Sequence, residues 1–174
     1  MNGDTTEYSL WLTLNEKTNE HDCFQDTIVD LAVAHQDAPV FAPHVTVVGG
    51  IDVERTTLVE TANSLADETE PINAMFGPLR CSTTTHQCVF RLLGPSLELF
   101  ELYESARETL ELSTSAYNPH LSLIYIDMSF ADRLALVETI DSESLPRQAR
   151  FPTLEVVETA GPVPEWETVC TAQL

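Results

Sequence analysis

Residues 41–50 read FAPHVTVVGG and residues 117–125 read YNPHLSLIY, so the order Pro-His-x-Thr/Ser at the head of an apolar run occurs twice in the chain. In a β-strand the side chains at i and i+2 share a face. That pairs His44 with Thr46 and His120 with Ser122. An imidazole titrates near pH ~6.5, so a neutral ring can take a proton while a protonated partner gives one up. Hydroxyls donate hydrogen bonds to the non-bridging oxygens of a phosphate, where negative charge grows during attack. Two imidazoles and two hydroxyls in one cleft, with no carboxylate, are a sufficient set for opening a phosphodiester by in-line displacement. Neither a metal nor a cofactor is called for, because imidazolium and hydroxyl donors supply the positive potential. One His-x-Thr/Ser alone would carry little weight. His21, His35 and His86 lack the pattern and read as ordinary histidines.

Stepping outward, each motif needs a strand to display it. Residues 8–14, YSLWLTL, alternate as a strand does, and a polar turn follows with Asp22 as the candidate N-cap of a helix over about 23–35. Pro39 and Pro43 hold the approach to His44 extended. The strand HVTVV then ends at Gly49 and Gly50. A helix over about 54–67 is followed by strand-like stretches at 72–80 and 86–93, and Ser96 can cap an amphipathic helix over 97–111. The loop STSAYNP leads into the second motif strand, HLSLIYI. A helix over 130–141 and strands in FPTLEVVET and EWETVCTAQL, joined by the turn AGPVP, complete the chain. The sequence of loop, proline, motif strand, helix and strands thus occurs twice. The expectation is an α+β fold in a single domain over residues 1–174, made of two pseudo-symmetric, intertwined lobes of antiparallel sheet with helices outside. The two motif strands would lie side by side at a central cleft.

Composition bounds the partners. The formal charge is -20, from 28 acidic and 8 basic residues, and Lys17 is the single lysine. Such a surface repels phosphate backbones, which argues against long nucleic acid. It also suits a protein living in molar salt, where the screening length is about 3 Å. No apolar run approaches the roughly 18 residues of a membrane span, and the first residues have neither a basic region nor an apolar signal core. The expectation is a monomeric cytoplasmic protein acting on a small molecule. Cys23, Cys81, Cys88 and Cys170 are widely spread without zinc-type spacing, which favours free thiols over a disulfide.

PHVTV with PHLSLIY resembles the two-histidine phosphoesterase superfamily. YSLW, VFAPHVTV, QCVFRLL, YNPHLSLIY and WETV, in that order over residues 8–169, resemble more narrowly the plant-type cyclic phosphodiesterases. The resemblance implies a bilobal fold and metal-independent hydrolysis of ADP-ribose 1″,2″-cyclic phosphate to the 1″-phosphate, or of nucleoside 2′,3′-cyclic phosphates to 2′-phosphates. It makes His44 and His120 the acid/base pair, with a lean to His120 as base, and Thr46 and Ser122 the phosphate donors. It also places Tyr125 and Trp11 at the ligand, although Tyr125, three residues after Ser122, points to the other face of a flat strand. Gly49-Gly50 and Arg91 depart from the pattern. Arg91 either turns outward or lends a cation to the cleft. Two other readings stay open: an RNA-end enzyme, acting on 2′,3′-cyclic ends or joining 2′,5′ ends, and a non-catalytic nucleotide-binding module.

Overall fold

The computed structural model describes residues 7–113 and 115–174. Eight strands, β1 (Tyr8–Thr13), β2 (His44–Ile51), β3 (Ile72–Cys81), β4 (Val89–Leu93), β5 (His120–Ile124), β6 (Gln148–Phe151), β7 (Thr153–Glu158) and β8 (Glu167–Gln173), form one antiparallel sheet in the order β6-β3-β4-β5-β2-β1-β7-β8. The two motif strands are the two central ones. Four helices, α1 (Asn19–Ala34), α2 (Arg55–Asp67), α3 (Leu97–Thr109) and α4 (Phe130–Thr139), pack against the sheet. The halves are interleaved: α1, which leads into β2, packs on β5, while α3, which leads into β5, packs on β2. The α+β, two-lobed expectation matches this architecture.

Along β2 and β5 the two faces divide cleanly. Val45, Val47, Leu121 and Leu123 are buried in a common core with Phe24 and Leu31 of α1, Leu58 of α2, and Leu99 and Leu102 of α3. The alternate positions, His44, Thr46, His120 and Ser122, turn to the open face. Burying each of these aliphatic side chains is worth about 1.5–3 kcal/mol, so a one-residue slip that exchanged the faces would be prohibitive. Core burial therefore fixes which side chains reach the cleft.

Several boundaries differ from the sequence expectation. Helix α1 starts at Asn19, and its cap is Thr18, whose hydroxyl accepts from His21 N at 3.3 Å. Asp22 lies in the first turn, where a carboxylate favours the helix N-terminus but caps nothing. Ser96 does cap α3, accepting from Leu99 N. Strand β6 has no counterpart in the sequence expectation: its four residues are too few to show alternation, and Pro152 divides it from β7 within the stretch expected as one strand over 151–159. Residues 85–87 are a short 3-10 turn rather than the start of β4. Arg91 neither turns outward nor enters the cleft. Its partner across β4–β5 is Leu121, so it points to the core side, buried and donating to Gly77 O at 3.0 Å and Pro146 O at 3.1 Å. All four cysteines are free thiols, Cys88 buried and the others half-buried. Among the described residues, no helix is long and apolar enough to cross a membrane.

Candidate active site

Strand β2 meets β5 at Val45 and Leu121. The antiparallel register through that pair faces His44 with Ser122 and Thr46 with His120. The two imidazoles occupy one diagonal of a four-cornered site and the two hydroxyls the other. The site opens into a cleft of about 730 Å³ that all four residues border, together with Trp11, Tyr125, His86 and Trp166.

Both rings are held the same way. His44 Nδ1 lies 2.7 Å from Ala42 O, and His120 Nδ1 lies 2.8 Å from Asn118 O. A carbonyl only accepts, so each Nδ1 carries a proton and donates it. Each neutral ring is thereby fixed in the tautomer that leaves Nε2 unprotonated, in position to take a proton and later return it. In both motifs a single proline, Pro43 or Pro119, stands between the histidine and the carbonyl that holds its ring.

The surroundings break the symmetry. His44 is 4% exposed, and the Trp11 ring stacks flat on it at 3.5 Å between centroids and 10° between planes. Phe41 approaches its edge, and the Tyr125 hydroxyl stands 3.3 Å from Nε2. Burial disfavours the imidazolium and lowers the His44 pKa to about 4, against a smaller opposing effect of the Ala42 carbonyl; the nearby His120 lowers it further. His120 is half-buried beside Phe90, and burial lowers its pKa also.

Tyr125 reaches the site because β5 ends at Ile124, so strand alternation no longer governs its direction. Its ring stacks on Phe41 at 3.9 Å. Burial raises its pKa, so it remains a phenol, and since His44 Nε2 has only a lone pair to offer, the phenol donates. Ser122 spends its hydroxyl proton on His86 O at 3.0 Å. A ligand must win that proton from the carbonyl. Trp11 borders the cleft, with one ring face covered by His44 and its edge near Trp166.

Two cleft residues had no sequence signal that set them apart. His86 stands against Tyr125 and Trp166, and it lacks the His-x-hydroxyl pattern because it sits on a turn. Trp166 belongs to the WETV block, but only its packing on Trp11 and Tyr125 shows that it closes the cleft. Among the described residues, Arg107 is the one Lys or Arg bordering the cleft, and Glu104 at 2.9 Å and Glu108 at 3.7 Å largely occupy its charge. No group of three or more His, Cys, Asp or Glu side chains among the described residues converges as metal ligands would.

Paired His-x-hydroxyl strands at the centre of an interleaved antiparallel sheet define the two-histidine phosphoesterase fold, and LigT of E. coli, solved in complex with 3′-AMP, shares it with a TM-score of 0.59 at 13% identity over 97% of each chain. The profile of the cyclic phosphodiesterase-like proteins matches residues 7–94 and 98–174, and the chain belongs to that family. It is similar to a cyclic phosphodiesterase of Arabidopsis thaliana, 26% identical with 96% of this chain and 94% of the relative covered. It is equally similar to a 2′,3′-cyclic-nucleotide 3′-phosphodiesterase of Kluyveromyces lactis, 26% identical with 92% and 95% covered.

Proposed function

We propose that this protein hydrolyses small cyclic phosphates, nucleoside 2′,3′-cyclic phosphates and ADP-ribose 1″,2″-cyclic phosphate being the substrate class, by acid/base catalysis between His44 and His120. The observation that carries the reading is the diagonal arrangement of two imidazoles whose Nδ1 protons are committed to backbone carbonyls. In-line displacement needs a base and an acid on opposite sides of phosphorus, and a diagonal provides that.

Unequal burial favours the assignment opposite to the lean toward His120, with His44 as base and His120 as acid. The more deeply buried ring, His44, rests neutral with its Nε2 lone pair free, as a base must, whereas the more open His120 is the ring that solvent can keep protonated. His44 Nε2 takes a proton from water as the water oxygen bonds to phosphorus. The phosphorus–oxygen bond to the leaving sugar oxygen breaks, and protonated His120 Nε2 gives its proton to that oxygen. Exchange with solvent then returns His44 to neutral and His120 to imidazolium. Thr46 and Ser122 donate to the non-bridging oxygens as their charge grows, each such donor being worth about 10²–10³ in rate at most, and the Tyr125 phenol, which donates to His44 Nε2 in the free protein, must turn to the phosphate before that nitrogen can take a proton. Trp11 acts on His44, keeping its ring planar against the indole and away from water. The -20 charge supports small substrates over long RNA.

Incubation of adenosine 2′,3′-cyclic phosphate and ADP-ribose 1″,2″-cyclic phosphate with the protein in EDTA, followed by chromatography, tests this. Ring-opened monoester is expected, and turnover of a mononucleotide is expected to exceed that of an oligonucleotide bearing the same cyclic end. No hydrolysis of any cyclic phosphate, or hydrolysis only after metal is added, would overturn it.

A further inference from the structure

Beyond the motif, β1 and β2 fall out of step. Trp11 faces Thr46 and Leu10 faces Val48, but Tyr8 faces Ile51, so Gly49 and Gly50 together stand opposite Ser9. Both glycines are exposed and border the cleft. A Cβ on Gly49 would lie 3.3 Å from Ser9 Oγ and 3.6 Å from Thr46 Cγ2. The bare side of Gly49 is therefore the side that carries Thr46. Gly50 has φ +68°, and a Cβ there would lie 3.7 Å from Glu7 Oε1. Next to Thr46 the cleft floor is thus naked peptide, edged by the Ser9 and Thr159 hydroxyls 3.3 Å apart and by the Glu7 carboxylate.

The chemistry of this floor is one-sided. It offers hydroxyls, peptide groups and a carboxylate, and Arg107, which borders the same cleft, is already paired with Glu104 at 2.9 Å. A phosphate lying there would meet Glu7 with no counter-charge. Sugar hydroxyls would donate to Glu7 and exchange hydrogen bonds with Ser9 and Thr159, the ring lying flat where no side chain intrudes. A cleft of about 730 Å³ is in the range that encloses a whole drug-sized ligand, about 300–1,000 Å³, so a cyclic phosphate group alone leaves most of it to fill.

We propose that the Gly49–Gly50 floor and Glu7 form the subsite for the uncharged, hydroxyl-bearing sugar or nucleoside part of the substrate, and select against a cyclic phosphate carrying a second phosphate at that end. This rests on the cyclic phosphodiesterase reading and narrows its substrate class toward nucleoside 2′,3′-cyclic phosphates, since ADP-ribose 1″,2″-cyclic phosphate carries a pyrophosphate on the sugar that bears the cyclic phosphate.

The test compares kcat/KM for adenosine 2′,3′-cyclic phosphate, its 5′-phosphorylated counterpart and glycerol 1,2-cyclic phosphate at low ionic strength, in the full chain and in its Glu7→Gln and Gly49→Leu variants. The unmodified protein should favour the unphosphorylated nucleoside about fivefold or more, and Glu7→Gln should cut that ratio about twofold or more, the repulsion from the rest of the acidic surface remaining, since like charges repel at this range in little-screened solvent. Gly49→Leu should lower the ratio of adenosine to glycerol substrate about tenfold. Glu7→Gln, an exposed change that leaves folding intact, overturns the subsite if the preference is unmoved, and Gly49→Leu overturns it by lowering both substrates alike. Absence of hydrolysis of all three by the unmodified chain would instead remove the cyclic phosphodiesterase reading itself.

Discussion

Val45 pairs with Leu121 at the centre of the sheet, and this contact between two fully buried aliphatic residues is what sets His44 across from Ser122 and Thr46 across from His120. The pair sits on the local pseudo-two-fold axis of the molecule. Around it the environment is not two-fold: an indole, a phenyl ring and a phenol enclose His44, whereas His120 stays half-open to the cleft. The two motifs thus hold their histidines in unlike surroundings, although their sequences are alike.

His44→Ala and His120→Ala should each lower kcat on a nucleoside 2′,3′-cyclic phosphate by about 10²–10⁴-fold, the usual worth of general acid/base catalysis. The two variants should part company on bis(4-nitrophenyl) phosphate, whose 4-nitrophenolate departs without a proton. Steady-state rates there should recover toward the unmodified protein in His120→Ala and stay low in His44→Ala. The opposite pattern would assign His120 as base.

The pH dependence follows from burial. For free enzyme, log kcat/KM should form a bell, its acid limb governed by His44 near pH 4 and its alkaline limb by His120 below its ordinary 6.5. A bound phosphate anion favours both imidazoliums, so the kcat bell should lie at higher pH than the kcat/KM bell. Stability carries the same signature. An unfolded chain protonates His44 near 6.5 and the folded one only near 4, so between those values the unfolded state holds more protons. The His44 contribution is present above 6.5 and lost as pH falls toward 4, and urea midpoints in His44→Gln should show a correspondingly shallower decline over that window.

Tyr125→Phe keeps the stack on Phe41 and deletes the donor to His44 Nε2. It should cost about tenfold in kcat/KM and move the acid limb to higher pH, because the phenol favours the neutral ring. Trp11→Leu removes the flat contact at 3.5 Å and should likewise raise the His44 pKa, here by admitting water, with Trp11→Phe restoring most of the rate. An acid limb unmoved in both variants would show that neither residue acts through His44.

Charge should matter at long range. An anionic substrate approaches a protein of formal charge -20, and Arg107, the one Arg bordering the cleft among the described residues, is engaged by glutamates. Raising KCl from about 0.01 to about 1 M shortens the screening length from roughly 30 to 3 Å, so kcat/KM should rise several-fold with salt, and the urea midpoint with it. A flat or falling dependence would mean that the cleft's own field, not the net charge, governs encounter.

His44, Thr46, His120 and Ser122 were legible because strand periodicity and a doubled motif are local properties. Thr18 was not, since Asp22 is an equally good cap by type and only the backbone direction at the turn chooses between them. Strand β6 was hidden by its four residues, and Tyr125 was ambiguous because where β5 stops depends on its neighbours. His86 had no pattern to betray it, for a turn placed it.

By itself the sequence determined the two histidine–hydroxyl pairs, the strands that display them and the acidity of the surface, all of which follow from side-chain alternation and composition within short stretches. Only the tertiary structure decided that the pairs meet on a diagonal, and that Trp11, Phe41 and Tyr125 close around one histidine and not the other. Those contacts join residues far apart in the chain, and the desolvation they impose exists only once the core has folded.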